Sequence, residues 1–192
     1  SVKYSEDTPL KRGKSLDLSE TQGRVVFNGP YQPEMDWKNL TISLWLRTYS
    51  DKPQEVLSYS SSSSTGKFRL WFDGNSWIWD VAEGDKWKSA RWKTSEDFNI
   101  REWKHFLAVV DSDKQRIQLY VDAKLVAEEN WTGTSLNPVS EGHQLVLGAT
   151  GEYNVNPVSI TWSRPFEGLI DEIMIFDKAL YPDEINEIVI DK

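Results

Sequence analysis

The fold of this chain is decided most clearly by residues 102–126, which read EWKHFLAVVDSDKQRIQLYVDAKLV. Two apolar stretches, 106–110 and 117–121, lie on either side of a turn with the sequence DSDK at 111–114. Short Asp and Ser side chains favour such turns because they bond to the local backbone. A further turn at 122–123 leads into another apolar run. The stretch therefore predicts three consecutive antiparallel strands.

Short runs of alternating apolar and polar residues recur through the rest of the chain. The clearest are residues 40–46, 68–72, 77–81 and 169–176. The sequence DGNS at 73–76 lies between two of them, and its Asp, Gly and Asn tolerate the positive φ angles of a tight hairpin turn. About a dozen such strands at short spacing predict an antiparallel two-sheet sandwich or a barrel.

One helix and several connections complete the expected architecture. A helix is predicted near residues 182–188, since Pro182 suits the first helical turn and Asp183 favours its positive dipole end. The serine run at 60–64 predicts a flexible connection between strands. Residues 151–165 predict a long polar loop, and long loops in compact domains are often functional.

Size and charge limit the possible functions. The 192 residues, 39% of them apolar, are expected to form one domain over residues 1–192. The net charge of −8 disfavours nucleic acid and anionic membranes as partners. The absence of cysteine excludes disulfides and thiol chemistry. The longest clear apolar run, 106–110, has five residues, so no membrane insertion is expected.

Several segments resemble a known family. Residues 102–126 look like the central hairpin of laminin-G-like and pentraxin-like domains of the concanavalin A-like lectin/glucanase superfamily. Residues 166–185, FEGLIDEIMIFDKALYPDEI, are similar to the closing strand and helix of these domains. Residues 56–59 (VLSY) and 145–148 (LVLG) resemble two further strands. The resemblance spans about residues 14–188 and implies an all-β, two-sheet antiparallel jelly-roll sandwich with one short C-terminal helix.

The resemblance also implies a structural calcium ion (Ca2+). Asp171 occupies a position in the closing strand that often ligates calcium in this superfamily, together with groups near the N-terminus. Asp17, Glu20 and Asn28 offer oxygens of the kind that calcium prefers. Alternatively, Asp171 accepts hydrogen bonds from backbone N–H groups of a neighbouring loop. The serines at 60–64 provide no carboxylate where pentraxins carry calcium ligands, so a full pentraxin double-calcium site is not predicted.

Catalytic motifs are weak in this sequence. Hydrolases on this fold use a Glu-x-Asp-x-x-Glu strand, whose alternation places the carboxylates on one face. Residues 34–39 (EMDWKN) match the first two positions but end in Asn39 and begin in a proline-containing segment. Glu83 and Asp85 also match two positions, outside any alternating strand. The sequence therefore predicts a protein without enzymatic activity.

Aromatic residues give the main functional signal, because the chain has ten Trp, seven Tyr and seven Phe. Sugars present C–H faces that stack on indole rings and hydroxyls that need polar partners. On the run 68–72 and the residue after it, Arg69, Trp71 and Asp73 share the face opposite the apolar residues. Trp71 is therefore a candidate stacking platform, although an outer-face Trp covered by a loop fits the same pattern.

Other aromatic residues suggest further contacts with a sugar. Trp92 lies between two basic residues, and Trp162 lies in the segment 151–165 with Tyr153 and Asn154. Trp92 is either an inward anchor of an edge strand or an exposed stacking ring. Trp131 also falls in a predicted loop, and such loop aromatics either form binding rims or cap the end of the sandwich. The predicted glycan-binding residues are thus Arg69, Trp71, Trp92, Tyr153, Asn154 and Trp162.

These observations favour non-catalytic recognition of an oligosaccharide or polysaccharide. We expect a lectin-like domain or a carbohydrate-binding module of a secreted or cell-surface protein, with neighbouring domains possible. Two alternatives stay open at this stage. One is a glycoside hydrolase of the glucanase type, and the other is a protein-binding adhesion domain on the same fold.

Overall fold

The computed structural model describes residues 2–19, 23–27, 38–60, 67–95, 98–134, 136, 144–155 and 158–190. Within these residues the chain forms fifteen strands and one helix. In chain order they are β1 (Lys3–Ser5), β2 (Ser15–Asp17), β3 (Val25–Phe27), β4 (Leu40–Thr48), β5 (Gln54–Ser60), β6 (Phe68–Phe72), β7 (Ser76–Glu83), β8 (Lys86–Lys93), β9 (Lys104–Asp111), β10 (Arg116–Val121), β11 (Lys124–Asn130), β12 (Gln144–Leu147), β13 (Thr150–Val155), β14 (Val158–Ser163), β15 (Gly168–Phe176) and α1 (Pro182–Ile190).

The strands form two stacked antiparallel sheets and one separate hairpin. The seven-stranded sheet has the order β1-β2-β15-β4-β9-β10-β11, and the six-stranded sheet has the order β3-β12-β5-β6-β7-β8. Strands β13 and β14 pair only with each other. The predicted jelly-roll sandwich is confirmed, and the predicted helix extends to Ile190.

The core lies between the two sheets and is rich in aromatic rings. From the six-stranded sheet Phe72 and Trp77 face inward, and Trp77 packs against Phe106 of the opposite sheet with ring centroids 4.7 Å apart. Trp79 is fully buried, and its indole N–H donates to the backbone oxygen of Val109 at 3.1 Å. This bond crosses from one sheet to the other. Trp77 and Trp79 therefore belong to the core.

The outer face of the seven-stranded sheet is partly covered by the C-terminal helix. Leu107 and Val109 point to this face and cluster with Leu180 and with Ile185 of α1. Strand β9 is therefore buried on both faces, which explains why residues 106–110 form an unbroken apolar run instead of an alternating one. No helix in the described part of the chain has the length and apolar character needed to cross a membrane.

One connection differs from the sequence prediction. Residues 151–165 were predicted as a loop, but β13 and β14 form a hairpin over most of this segment. Its sequence contains Val155, Val158 and Ile160, which favour strands. The hairpin belongs to neither large sheet. Its base lies against β5, where Ser58 Oγ donates to the backbone oxygen of Ala149 at 3.1 Å.

The close approach of β15 to β4 requires a glycine at its first residue. A Cβ atom at Gly168 would collide with the backbone oxygen of Arg47. Gly168 belongs to the FEGLIDE motif that carried the family resemblance. The glycine of this motif is therefore explained by the close packing of β15 against β4.

The turn between β10 and β11 generates a stability prediction. Asp122 and Ala123 have φ angles of 47° and 62°, a left-handed conformation that costs an L-residue such as alanine roughly 1–2 kcal/mol. We expect Ala123→Gly to raise the free energy of unfolding by about 1 kcal/mol, after subtraction of about 0.4–1 kcal/mol for the greater freedom of glycine in the unfolded chain. Urea denaturation measures the difference.

The matched control is Gly84→Ala in the turn between β7 and β8. Gly84 has a φ of 62°, and an added Cβ would have no neighbouring heavy atom within 4 Å. This substitution introduces the left-handed backbone strain that Ala123→Gly removes, and it should lower the free energy of unfolding by about 1 kcal/mol. A loss of stability in Ala123→Gly would show that the left-handed turn is not the source of strain.

Candidate functional site

A cluster of polar and aromatic side chains lies on the outer face of the six-stranded sheet. Strand pairing places Trp71 opposite Glu55 of β5 and Ile78 of β7, and places Arg69 opposite Asp80. Because directly paired residues point to the same face, these side chains meet outside the core. We call this cluster the platform and define it as Glu55, Arg69, Trp71, Asp80, Ser89 and Arg164.

Asp80 is the centre of the platform. Its Oδ2 accepts a hydrogen bond from Arg69 Nε at 2.7 Å and one from the Trp71 indole N–H at 2.8 Å. Its Oδ1 accepts from Ser89 Oγ at 2.5 Å. The Asp80 side chain is only 3% exposed, against 22% for Arg69. A carboxylate this deeply buried needs such partners, and here they fix side chains from three adjacent strands.

Trp71 is half-buried and lies between cationic groups. The guanidinium carbon of Arg69 lies 4.8 Å from the Trp71 ring centroid, and that of Arg164 lies 4.9 Å from it. Both distances fall within the range of cation–π attraction. Arg69 also lies 4.9 Å from the ring centroid of Trp87. The indole of Trp71 is thus held by the hydrogen bond from its N–H to Asp80 and by the guanidinium groups of Arg69 and Arg164 near its ring.

Arg164 reaches the platform from the end of β14. Its Nη2 lies 3.1 Å from Glu55 Oε2, and its backbone oxygen accepts a hydrogen bond from the Glu55 N–H at 2.9 Å. Arg164 has a φ of 50°, which is unfavourable for an L-residue. The contacts with Glu55 and Trp71 compensate this strain and aim the side chain across the sheet.

Glu55 differs from Asp80 in its environment. Its side chain is fully buried, and neither carboxyl oxygen has a hydrogen-bond partner of good geometry among the described residues. Burial raises the pKa of Glu55 to about 7, and Asp80 adds to this rise, while Arg164 and Arg69 oppose it. The outer face therefore holds one carboxylate that is well bonded and one carboxyl group that titrates near neutral pH.

The structure brings together two of the predicted glycan-binding residues, Arg69 and Trp71. Asp73, expected beside them, instead binds Arg91 through an ion pair at the sheet's edge. Trp92 does not join the platform. It pairs with Trp77 on the inner face of the sheet and packs edge-on against Phe98, with ring centroids 4.7 Å apart.

The remaining predicted residues lie in the β13–β14 hairpin. The strand positions of Tyr153 and Asn154 are described, but their side chains lie outside the described part of the structure. Trp162 is half-buried, and the guanidinium carbon of Arg24 lies 4.1 Å from its ring centroid. Trp162 also lies against Gly151, where a Cβ atom would come within 2.7 Å of the ring. A glycan contact by these three residues stays a prediction.

Trp131 has a different role from a loop aromatic at a binding rim. Its side chain is fully buried, and its indole N–H donates to the backbone oxygen of Ala82 at 2.9 Å. It therefore caps the sandwich, which was one of the two roles open from the sequence.

Sequence reasoning missed Glu55, Asp80 and Arg164 as site residues. For Asp80 a signal was present, because the four-residue turn at 73–76 sets a hairpin register that places it opposite Arg69. Glu55 and Arg164 come together only through long-range packing of the hairpin against β5. No local pattern indicates that contact.

The predicted calcium ligands are only partly described. Asp17 of β2 and Asp171 of β15 lie on neighbouring strands, whereas Glu20 and Asn28 lie outside the described residues. Oδ1 of Asp17 accepts hydrogen bonds from the Ser19 N–H and hydroxyl at 3.0 and 2.5 Å.

Asp171 Oδ1 accepts from the Glu172 N–H at 2.9 Å. Burial raises the pKa of Asp171. The described residues contain no group of three or more potential metal-ligating acidic or histidine side chains. The two described carboxylates alone fall short of the six to eight oxygens that calcium takes, so calcium binding stays a prediction.

Of the two acidic motifs weighed for catalysis, only Glu83 and Asp85 lie among the described residues. Residues 34–37 lie outside them. Glu83 ends β7 and accepts hydrogen bonds from the backbone N–H and the hydroxyl of Thr132 at 2.6 and 2.9 Å. These bonds lower the pKa of Glu83 and anchor the segment that follows β11.

The two-sheet jelly roll with a polar, aromatic outer face defines a lectin-type β-sandwich. The chain belongs to the concanavalin A-like lectin/glucanases superfamily, because the family model Laminin_G_3 matches residues 20–186. The resemblance seen in the sequence is thereby confirmed. Among curated proteins, no sequence matches this chain.

Several solved structures share the fold. The carbohydrate-binding module CBM40 of the Ruminococcus gnavus IT-sialidase, bound to α2,3-sialyllactose, has a TM-score of 0.68 at 15% identity, with 91% of this chain and 95% of that chain covered. The binding domain of botulinum neurotoxin DC in complex with SialylT has a TM-score of 0.69 at 11% identity, with 98% of this chain covered. A structure of NanB with Optactamide has a TM-score of 0.66 at 17% identity, with 91% of this chain covered.

This chain spans 44% of the neurotoxin chain and 27% of the NanB chain. At these sequence identities the likeness establishes the fold.

The raised pKa of Glu55 predicts a pH-dependent stability. As the pH rises from 4.5 to 7, the unfolded chain releases the Glu55 proton while the folded chain retains it. The contribution of Glu55 to the free energy of unfolding therefore falls by about 3 kcal/mol across this range. We expect Glu55→Gln to remove this loss, so that the variant gains about 3 kcal/mol relative to wild type between pH 4.5 and pH 8, as measured by urea denaturation.

His105 also makes the stability of the folded chain depend on pH, so the effect of Glu55 must be measured as the difference in stability between Glu55→Gln and wild type. Burial lowers the pKa of His105 to about 4, so its contribution to stability rises with pH between about 4 and 6.5 and opposes that of Glu55. The control is Glu128→Gln, which removes a half-exposed carboxylate paired with Arg116 on the other sheet. Its stability relative to wild type should change little with pH. An identical pH profile for Glu55→Gln and wild type would contradict the assignment.

The calcium prediction is tested by thermal denaturation. If Asp171 and Asp17 hold calcium, millimolar Ca2+ will raise the Tm and a chelator will reverse the rise, since an ion that binds only the folded chain stabilises it by mass action. Asp171→Asn should abolish the calcium effect. A Tm that responds to neither calcium nor chelator rejects the prediction.

Proposed function

We propose that this chain is a non-catalytic carbohydrate-binding domain and that the platform is its binding site. The observation that carries the proposal is the geometry of Trp71. Its ring lies on the outer sheet face, its N–H is fixed by Asp80, and the guanidinium groups of Arg69 and Arg164 lie beside it. Such an arrangement offers both an aromatic surface and planar hydrogen-bond donors.

The polar groups of the platform suit sugar hydroxyls. Arg69 directs Nε and Nη2 at Asp80, and a guanidinium has five N–H donors, so donors remain for a ligand. The donors are held in place before a ligand arrives, which reduces the entropy lost on binding. The sheet beneath them is part of the packed sandwich. A preformed site of this kind is typical of small-ligand recognition.

The fold neighbours support a glycan ligand. Two of them are binding domains or modules whose structures contain α2,3-sialyllactose or SialylT. Their identity to this chain is low, so the support comes from the shared fold combined with the platform chemistry. We therefore propose an oligosaccharide or polysaccharide ligand without naming the sugar.

The state of the two carboxyl groups favours binding over hydrolysis. A glycosidase needs a pair of carboxyl groups that reach the two sides of a glycosidic bond. Both Asp80 oxygens are engaged by Arg69, Trp71 and Ser89. Glu55 is fully buried beneath Arg164. We propose that these groups position the arginines and do not attack a substrate. Assaying β-glucans for new reducing ends tests this part.

We also propose that the domain acts outside the cell, either secreted or at the cell surface. The lectin-type fold and the proposed glycan ligand support this setting. Fractionation of cells expressing the full-length protein would test it. Recovery only from the cytoplasm would contradict it.

The binding proposal predicts the effect of removing the aromatic surface. A glycan array should identify ligands, and calorimetric titration should then show that Trp71→Ala or Arg69→Ala weakens binding by about tenfold or more, equivalent to about 1.4 kcal/mol. The matched control is Tyr4→Ala. Tyr4 is 68% exposed on the seven-stranded sheet, far in the fold from the platform, and its loss should leave affinity unchanged.

The same titration with Trp162→Ala tests the predicted hairpin contact. A loss of affinity would place Trp162 at the rim of the site, and unchanged affinity would confine the site to the sheet. Full glycan affinity in both Trp71→Ala and Arg69→Ala would reject the platform as the binding site.

A further inference from the structure

We propose that the platform selects sugars carrying a carboxylate or sulfate group, and that Glu55 takes up a proton when such a ligand binds Arg164. This inference rests on the proposed carbohydrate-binding function and adds a ligand class and a mode of regulation to it. Its basis is the contact between one fully buried carboxyl group and one partly exposed guanidinium group.

The charges of the platform balance only when Glu55 is ionised. Arg69 and Arg164 contribute two positive charges, and Asp80 contributes one negative charge that is bonded to Arg69. With Glu55 protonated, the charge of Arg164 has no counter-charge within the platform. An anionic ligand supplies that counter-charge from the solvent side. A neutral sugar does not.

The positions of the two groups allow this exchange of partners. The Glu55 side chain is fully buried, whereas the Arg164 side chain is 30% exposed. A ligand can therefore reach Arg164 from outside while Glu55 stays beneath it. Arg164 serves either the buried carboxylate or the ligand anion, and Glu55 acts on the ligand only through Arg164. Glu55 is thus a positioning residue.

The surroundings of Glu55 explain why the exchange occurs near neutral pH. Burial raises the pKa of Glu55 to about 7. Among the described residues, the charged groups that face it are Arg164 from the end of β14, Arg69 from β6 and Asp80 from β7. An anion bound at Arg164 adds negative charge and favours the protonated form further. By linkage, binding of the anion takes up a proton, and its affinity falls as the pH rises through 7.

The first experiment is a glycan array with neutral, sialylated, uronic acid-containing and sulfated glycans, probed at pH 6 and pH 8. We expect acidic glycans to be preferred and to bind more strongly at pH 6. Binding of neutral glycans alone would overturn this inference and leave the proposed function intact. No binding of any glycan would instead reject the proposed function.

The second experiment is calorimetry with the strongest acidic glycan. For wild type, affinity should fall by about tenfold between pH 6 and pH 8, as expected for one coupled proton with a pKa near 7. Titration at pH 7.5 in phosphate and in Tris, which differ in ionisation enthalpy, should reveal uptake of most of one proton. Equal heats in the two buffers would overturn the proposal. This measurement needs no variant.

Two variants separate the roles of the paired groups. Glu55→Gln should bind the acidic glycan with pH-independent affinity close to that of wild type at pH 6. Arg164→Gln should lose both the preference for acidic glycans and the pH dependence. The control Glu128→Gln, on the other sheet, should keep the tenfold change. Retention of that change in Arg164→Gln would also overturn the proposal.

Discussion

The burial of the Asp80 carboxylate is the constraint on which the rest of the platform depends. A charge removed from water at this depth is tolerated only when hydrogen bonds replace its hydration. Asp80 obtains them from Arg69 and Trp71 on β6 and from Ser89 on β8. The same bonds that satisfy the carboxylate therefore orient an aromatic ring and a guanidinium group toward solvent. The hydrogen bonds of the buried Asp80 carboxylate thus determine the geometry of the outer face, even though a ligand does not have to contact Asp80 itself.

Glu55 shows what happens when a carboxyl group on the same face lacks those bonds. It is as buried as Asp80, but its one close polar contact among the described residues is the ion pair with Arg164. The group responds by retaining its proton to higher pH, which is less costly than burying an unsolvated charge. One sheet face thus contains a carboxylate held by three hydrogen bonds and a carboxyl group whose pKa burial raises to about 7. The two carboxyl groups are similarly buried and differ in their hydrogen bonds.

The sequence predicted the parts of this arrangement that depend on local patterns. Alternation in β6 placed Trp71 and Arg69 on the same face. The turn at 73–76 set the β6–β7 register, which places Asp80 opposite Arg69. Strict alternation fails at Glu55, because a register shift between Glu55 and Leu57 turns the glutamate away from the core side that Leu57 occupies. The β13–β14 hairpin was missed because it pairs with neither large sheet, and the approach of Arg164 to Glu55 was missed with it. Trp92 has basic neighbours on both sides in sequence, but it is partly buried and packs against the core on the inner face.

The asymmetry of the sandwich leaves the outer face of the six-stranded sheet as the face proposed for binding. Helix α1 packs on the outer face of the seven-stranded sheet and buries Leu107 and Val109 there. The outer face of the six-stranded sheet instead holds buried carboxyl groups and partly exposed arginines, bordered by the hairpin that carries Arg164. The chain's net charge of −8 repels an anionic ligand at long range, but at physiological ionic strength this repulsion is screened beyond about 8 Å. In the proposed complex, recognition of an acidic sugar is therefore decided at contact distance, by whether the buried Glu55 still neutralises Arg164.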